Sequence, residues 1–426
     1  MKRIHRPVRT ALLALLTVTL AAALLPTASV APAATASGAL TLTAAGSAAA
    51  TDRWTLDLSV VDGDDVNVRS TPAGLRLRDA TAGTARAALG PLGTPAEGML
   101  VGTPRTLPRP ATRVHADVTA RVPAGGGVEV EVRGWRTSGG WTEWRTGTAV
   151  FDRPVTRVQA RVVLTARDPR AVATVRAVRL TADSAATGPR AAAAAATPGI
   201  TYRVFATRIG LVGEVTANGR TIQPRDHFVA LPSRRALAPE DTGDYTVRVC
   251  TTNGSRCTYA PVWDVGPWNT RDDYWNPSAV RENWKDLPRG RPEAQAAYQN
   301  GYHGGRDQFG RVVRNPAGID LADGTFWDGL RLTTNAWVDV AYLWTGSGPH
   351  GVVGDGPLNI RAGASTAYAS VGLAAQYAIV PIQCYATGQT VAGPYRTTNR
   401  WNRLATGQFV SHAYISAVYG GTVPRC

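Results

Sequence analysis

Four cysteines are the residues whose type and spacing most directly dictate chemistry in this chain. Cys250 and Cys257 flank Thr-Thr-Asn-Gly-Ser-Arg, whose centre, Asn253-Gly254, is the preferred pair for a two-residue type I′ hairpin turn. That turn would set Cys250 directly opposite Cys257, where α-carbons about 4.5–5.5 Å apart are within disulfide reach. Cys384 and Cys426 remain and pair by elimination. An even cysteine count suits a chain folded in an oxidising compartment. The spacing fits no zinc pattern, and Asp272, Asp273 and Asp307 fit no calcium-loop spacing. No metal and no cofactor is expected.

The hairpin needs strands on both sides. Tyr245-Thr246-Val247-Arg248-Val249-Cys250 alternates with period two, and the stretch 259–265 returns after the turn. A strand is expected from residue 201 to 209 and a last one around 337–344. Asp226-His227-Phe228-Val229-Ala230-Leu231-Pro232 reads as a lead into a loop. Between 266 and 317 lies an aromatic excursion with Trp268, Tyr274, Trp275, Trp284, Tyr298, Tyr302 and His303. It suits equally a wall for stacking sugars or a small satellite core.

This order of elements resembles the double-psi β-barrel of rare lipoprotein A, expansins, family-45 endoglucanases and membrane-bound lytic transglycosylases. Three segments carry the likeness, which covers most of residues 205–344 apart from the excursion. Thr216-Ala217-Asn218-Gly219 resembles the Thr-Ala-Asn-Gly turn of rare lipoprotein A. Trp263-Asp264-Val265-Gly266-Pro267-Trp268 resembles its Asn-Asp-Arg-Gly-Pro-Phe, and Ile319-Asp320-Leu321 its Ile-Asp-Leu-Ser. The resemblance implies that Asp264 is the general acid of a glycan groove. A glycosidic oxygen leaves readily only when protonated, and a placed acid contributes about 10²–10⁴-fold. Trp263, Val265, Pro267 and Trp268 would help by desolvating the carboxyl.

A second carboxylate decides the reaction. Inverting hydrolysis needs a base about 6.5–9.5 Å from the acid; Asp320 is the first candidate and Asp226 the second. A lytic transglycosylase needs none, because a sugar hydroxyl attacks internally, and an expansin-like protein needs only a groove. Asp320 also suits an N-cap. Thr216, Trp263, Trp268 and Trp275 are the expected substrate-binding residues. The family's His-x-x-Leu-Pro is not reproduced, since Phe228 and not His227 stands three before Leu231, so His227 receives no catalytic role.

The chain's two ends frame this domain. Residues 1–36 read as a signal peptide: Lys2, Arg3, Arg6 and Arg9 precede an apolar run at 11–25, with small-x-small sites at Ser29-Val30-Ala31 and Ala34-Thr35-Ala36. That run is short for a membrane span, which takes about 20 apolar residues. Its loss would lower the formal charge from +15 to +11. The remaining basic residues are arginines apart from Lys285, and they are scattered. Nucleic-acid binders concentrate their charge, so an anionic wall polymer is the expected partner and nucleic acid is not.

Residues 37–50 read as a flexible leader. Residues 51–183 read as a carbohydrate-binding-like β-sandwich, with a strict alternation at Val128-Glu129-Val130-Glu131-Val132. Trp135, Trp141 and Trp144 suit either strand anchors or a sugar platform. An Ala/Gly/Pro linker follows at 184–200, and a second break at 345–355. A last domain is expected at 356–426, of which residues 356–419 resemble a bacterial SH3-type wall-binding domain. The likeness rests on Leu358-Asn359-Ile360-Arg361-Ala362-Gly363, Gly388-Gln389-Thr390-Val391, Trp401 and Gly407-Gln408-Phe409-Val410-Ser411. Tyr368, Tyr385 and Trp401 suit its groove or its core.

The expected fold is therefore mostly β: a sandwich, a six-stranded double-psi barrel at 201–344 with a helical and loop insertion, and a small SH3-like barrel. The expected protein is secreted, monomeric and free of membrane once processed. It would act on or bind peptidoglycan or a related β-linked glycan; the alternative is a non-catalytic wall-binding protein.

Overall fold

A computed structural model describes residues 51–81, 96–136, 140–146, 148–183, 198–276, 281–346, 349–419 and 422–426. The expected signal peptide, the expected leader and most of the expected 184–200 linker lie outside the described residues. No described helix is long and apolar enough to cross a membrane. The protein is mostly β, as its alternating sequence requires.

Nine strands build the N-terminal part: β1 (Asp52–Thr55), β2 (Val68–Thr71), β3 (Gly74–Leu77), β4 (Ala96–Val101), β5 (Arg105–Arg121), β6 (Gly126–Arg136), β7 (Arg145–Thr146), β8 (Thr148–Ala166) and β9 (Thr174–Asp183). They form one hydrogen-bonded sheet in the order β2-β3-β9-β5-β8-β6-β7, with β1 on β9 and β4 on β8. The 17 residues of β5 and 19 of β8 are long enough to pair with different neighbours along their length. The expected sandwich is thus a single sheet gathered around one apolar core. Val130 and Val132 of β6 and Val158, Ala160, Val162 and Leu164 of β8 enter that core.

The opposite face of β6 and β8 carries Glu131, Arg133, Gln159 and Arg161, and none of these reaches solvent. Side chains alternate faces along a strand, which places this polar row on the side of the sheet away from the apolar core. There it docks on the next domain. Arg161 pairs with Glu131 and donates to the carbonyls of Arg234 and Leu237. Arg133 pairs with Asp244 at 2.6 Å, and Tyr245 Oη donates to Thr142 O at 2.7 Å. The Trp144 ring lies between the guanidinium groups of Arg133 and Arg161, 4.6 and 4.5 Å away. Trp141 and Trp144 are buried, and Arg157 lies over Trp135, so the three tryptophans anchor strands.

The central domain has β10 (Thr201–Arg208), β11 (Val229–Leu231), β12 (Thr246–Thr251), β13 (Cys257–Val265), β14 (Ala317–Leu321) and β15 (Ala336–Tyr342). Pairings run β10-β15-β12-β13-β11-β14 and back to β10, closing a six-stranded barrel. Two of these pairs, β10 with β14 and β11 with β13, are parallel. The stretch expected to lead into a loop supplies β11, and Asp320 lies inside β14 instead of capping a helix.

The Cys250–Cys257 bridge forms with α-carbons 4.1 Å apart and the residues in register. The turn differs from expectation. Asn253 stays out of the left-handed region that type I′ demands, and Gly254 alone enters it at φ 69°. A four-residue loop closed by Gly254 N–H to Thr251 O keeps the same register.

The C-terminal part has β16 (His350–Val353), β17 (Leu358–Arg361), β18 (Ser370–Ala374), β19 (Ile379–Ala392), β20 (Thr397–Leu404), β21 (Phe409–Ser411) and β22 (Ile415–Tyr419). Its sheet order is β18-β17-β21-β20-β19-β16-β22. β16 falls within the expected 345–355 linker, where it pairs with β19 and β22. β18 pairs in parallel with β13, so this sheet continues the central one. A Cβ at Gly372 would lie 1.7 Å from Cys257 O, so only glycine permits the seam. The Cys384–Cys426 bridge forms as expected.

The Arg161 contact yields a direct stability test. Arg161→Ala leaves Glu131 buried without its cation, and removing one partner of such a pair costs about 3–5 kcal/mol. Urea unfolding should show that loss as a lower midpoint, largely recovered in an Arg161→Met, Glu131→Leu double variant. A single-variant loss below about 1 kcal/mol would mean that Glu131 is neutralised by another group.

Candidate functional site

The three motif segments of the barrel meet at one place. Ala230 of β11 is in register with Asp264 of β13 on one side and Asp320 of β14 on the other. Asp320 is in turn opposite Thr207 of β10. In-register neighbours share a face, and strands lie about 4.8 Å apart, so both carboxylates stand on one face across a single methyl side chain. The Ala217 N–H donates to Asp264 Oδ1 at 2.9 Å, bringing the 216–219 turn onto the pair. The Thr207 hydroxyl donates to Asp320.

Burial governs what this row can do. Asp264 is 2% exposed and Asp320 3%. Thr216 is buried, its hydroxyl donating to Asn218 Oδ1 at 2.7 Å while Asn218 Nδ2 donates to Ala238 O. The turn is therefore fastened from within. Asp226, the second candidate, is paired with Arg220 at 2.7 Å.

The expected aromatic binding residues divide. Trp275 is fully buried, stacked on Tyr342 at 5.6 Å. Trp263 is buried between Phe228 and Tyr377, with its Nε1 on Thr242 O. Trp268 caps a small cluster of Ala294, Ala297 and Val313 and donates to Asn315 Oδ1. None of the three forms an open sugar platform. Among the C-terminal aromatics, Trp401 is core, Tyr385 lies under Arg400, and Tyr368 is exposed.

The excursion is built on buried carboxylate–arginine pairs: Asp272 with Arg281, Asp273 with Arg235, and Asp307 with Arg311. Asp272 also accepts from the Glu293 N–H at 2.6 Å. It thereby serves the start of α1 (Glu293–Asn300), where Pro292 offers no side-chain cap. These arginines take the role that a cation would otherwise fill. Two further carboxylate groups are close enough to share an ion, Asp62 with Asp64 and Asp65, and Glu129 with Glu131 and Glu282. The second is matched by Arg161, Arg235 and Arg271. In the first, burial and then a hydrogen bond with Asp62 push Asp64 up to about 8.

Beyond these pairs the excursion opens a pocket of about 440 Å³, lined by Glu282, Asn283, Trp284, Lys285, His303 and Gln308. Trp284 and His303 both hold φ 51°, and their rings meet edge-on at 6.3 Å. A left-handed backbone costs such residues roughly 1–3 kcal/mol and concentrates at ligand sites. The sequence offered only the aromatic richness of this stretch as a signal. Which aromatics face outward depends on the folded loop.

Comparison with known proteins places this site in a recognised unit. A family model described as "Domain of unknown function (DUF8814)" matches residues 200–341, the barrel together with its excursion. The chain is also 39% identical over 79 residues to the uncharacterized protein YraI of Bacillus subtilis (strain 168), covering 16% of this chain and 66% of that one. The match thus spans just under two thirds of that relative. No solved structure matches.

The excursion is pinned to the N-terminal sheet by Glu143, which accepts from Trp275 Nε1 at 2.5 Å and Asn276 Nδ2 at 3.0 Å. Burial raises Glu143 to about 7 against these hydrogen bonds, and raises Glu293 to about 8. Both groups bind their protons more tightly in the folded chain than in the unfolded one. Their contribution is therefore complete at low pH and is lost as pH rises through 7 to 8. Thermal unfolding should show a midpoint that falls between about pH 4.5 and 8 and levels off above it, with a shallower slope in Glu143→Gln. A midpoint that rises over this window would contradict the assignment.

Proposed function

We propose that this protein is an extracytoplasmic binder of peptidoglycan or a related β-linked glycan that does not cleave its ligand. The observation carrying the non-catalytic reading is the near-complete burial of Asp264 and Asp320. A general acid must reach the leaving oxygen within hydrogen-bond distance, and a carboxyl sealed at 2% exposure offers a polymer no such approach. The two disulfides fit an oxidising compartment outside the cytoplasm.

The glycan assignment rests on several supports. The closed barrel with two parallel pairs suits the double-psi topology, and the segments that resemble rare lipoprotein A converge on Asp264. The strongly basic chain suits an anionic wall. The C-terminal sheet suits an SH3-type targeting module, in which Tyr368, beside the polar 365–366 turn and Gln389, is an exposed aromatic, as is Tyr395.

One observation favours a second reading, a lytic-transglycosylase-like or expansin-like activity. Asp264 and Asp320 share one row across Ala230, with the 216–219 turn fastened to Asp264 by the Ala217 N–H.

Purified sacculi separate the readings. The processed wild type and Asp264→Asn should both co-sediment with sacculi and release no anhydro-muropeptides or new reducing ends. Products released by the wild type and lost in Asp264→Asn would establish catalysis. Failure of the wild type to sediment would remove the wall-binding proposal.

A further inference from the structure

The pocket in the excursion has the chemistry of a site for one particular class of sugar. Its wall holds one ring face, one cation, one acceptor and one spare donor. Trp284 supplies the ring, set edge-on to His303 and partly exposed. Aromatic faces suit the C–H surface of a pyranose because the apolar face is buried while the hydroxyls stay free at the rim.

The cation is Lys285. Only two lysines occur in the whole chain, Lys2 and Lys285, against 44 arginines. Lys285 is exposed and has no ion-pair partner among the described residues. The one acidic residue of the lining is already committed. Glu282 accepts from Ser233 Oγ at 3.0 Å and meets Arg235 at 3.3 Å, so it does not neutralise Lys285.

The polar groups are oriented by their other bonds. His303 Nδ1 meets the Arg306 carbonyl at 2.9 Å. A carbonyl only accepts, so Nδ1 donates to it, and Nε2 is the ring nitrogen left to meet a ligand. Gln308 is fixed by the Thr270 and Arg271 N–H groups on its oxygen and by Thr270 Oγ1 on its nitrogen. An amide nitrogen has two hydrogens, so one remains to donate. The volume, about 440 Å³, is within the range of about 300–1,000 Å³ typical of small-ligand sites.

We propose that this pocket binds a saccharide bearing a carboxylate, with Trp284 under the ring, Lys285 on the carboxylate, and Gln308 and His303 on the hydroxyls. This rests on the glycan-binding reading and names the ligand class and the site for it. Nothing in the barrel row of Asp264 and Asp320 is needed for it.

Titration calorimetry with the processed protein tests the assignment, using N-acetylmuramic acid and glucuronic acid as probes and N-acetylglucosamine and glucose as uncharged controls. The acids should bind at least about tenfold more tightly than the controls, the scale of one charge-assisted hydrogen bond. Lys285→Glu, a surface change that leaves the core intact, should abolish that preference. Trp284→Phe should weaken all sugars alike. Equal binding of acids and controls, unchanged binding in Lys285→Glu, or no binding of any probe would overturn the proposal. Sacculus sedimentation keeps the two ideas apart. Sacculi bound equally by wild type and Lys285→Glu leave the wall reading standing and remove this pocket from it. Acid-selective binding without sedimentation does the reverse.

Discussion

A single buried guanidinium decides how this molecule is assembled. Arg161 sits with no solvent exposure on the side of β8 that faces away from the N-terminal core. Such a charge is tolerable only when every donor finds a partner, because its desolvation costs several kcal/mol. Glu131 supplies one partner on the same sheet, and the carbonyls of Arg234 and Leu237 supply others across the interface. The barrel is thus required to complete the hydrogen bonding of the sheet. Trp144, held between Arg161 and Arg133, closes the joint with an aromatic face that two cations can share. The outcome is a unit in which the sheet, the barrel and the excursion are mutually dependent.

Local signals in the sequence were legible where they were self-contained. The Cys250–Cys257 register followed from seven residues, and it held even though Gly254 alone takes the left-handed conformation. β10, β12, β13 and β15 were legible because each is long enough to display a period. β11 was not, because three residues, Val229, Ala230 and Leu231, have no period and all are buried. Asp320 was misplaced for a related reason: an aspartate before Leu-Ala-Asp-Gly has the chemistry of a cap, and only pairing with Thr207 and Ala230 draws it into a strand. The polar face of β6 was hidden more deeply. Alternating Val and Glu specifies two faces, but not whether the second meets water or another domain.

The site shows the same division. The motif resemblance brought Thr216, Asp264 and Asp320 together, and the fold does juxtapose their segments. It could not indicate exposure, which depends on how the 216–219 turn lies over β13. The tryptophans were read as a group, yet their roles separate by position in the excursion. Trp275 lies where the chain leaves the barrel, and it is drawn between Tyr342, Trp344 and Glu143 of two different domains. Trp284 lies beyond the buried arginine pairs, where no core remains to receive it.

That contrast bears on why the buried carboxylates and the open pocket coexist. A carboxylate inside a barrel wall is held by fixed donors, here the Ala217 N–H and the Thr207 hydroxyl, and each bond that stabilises it also keeps it from a ligand. Opening that row would forfeit the Ala217 bond and the interlocked Thr216–Asn218 turn together. The pocket makes the opposite trade. Its strain is carried locally by the backbone at Trp284 and His303, while Asp272, Asp273 and Asp307 hold the surrounding loop through arginines. In this chain the part that resembles a glycan-cleaving groove is the part best suited to holding the fold together, and the insertion is the part free to meet a ligand.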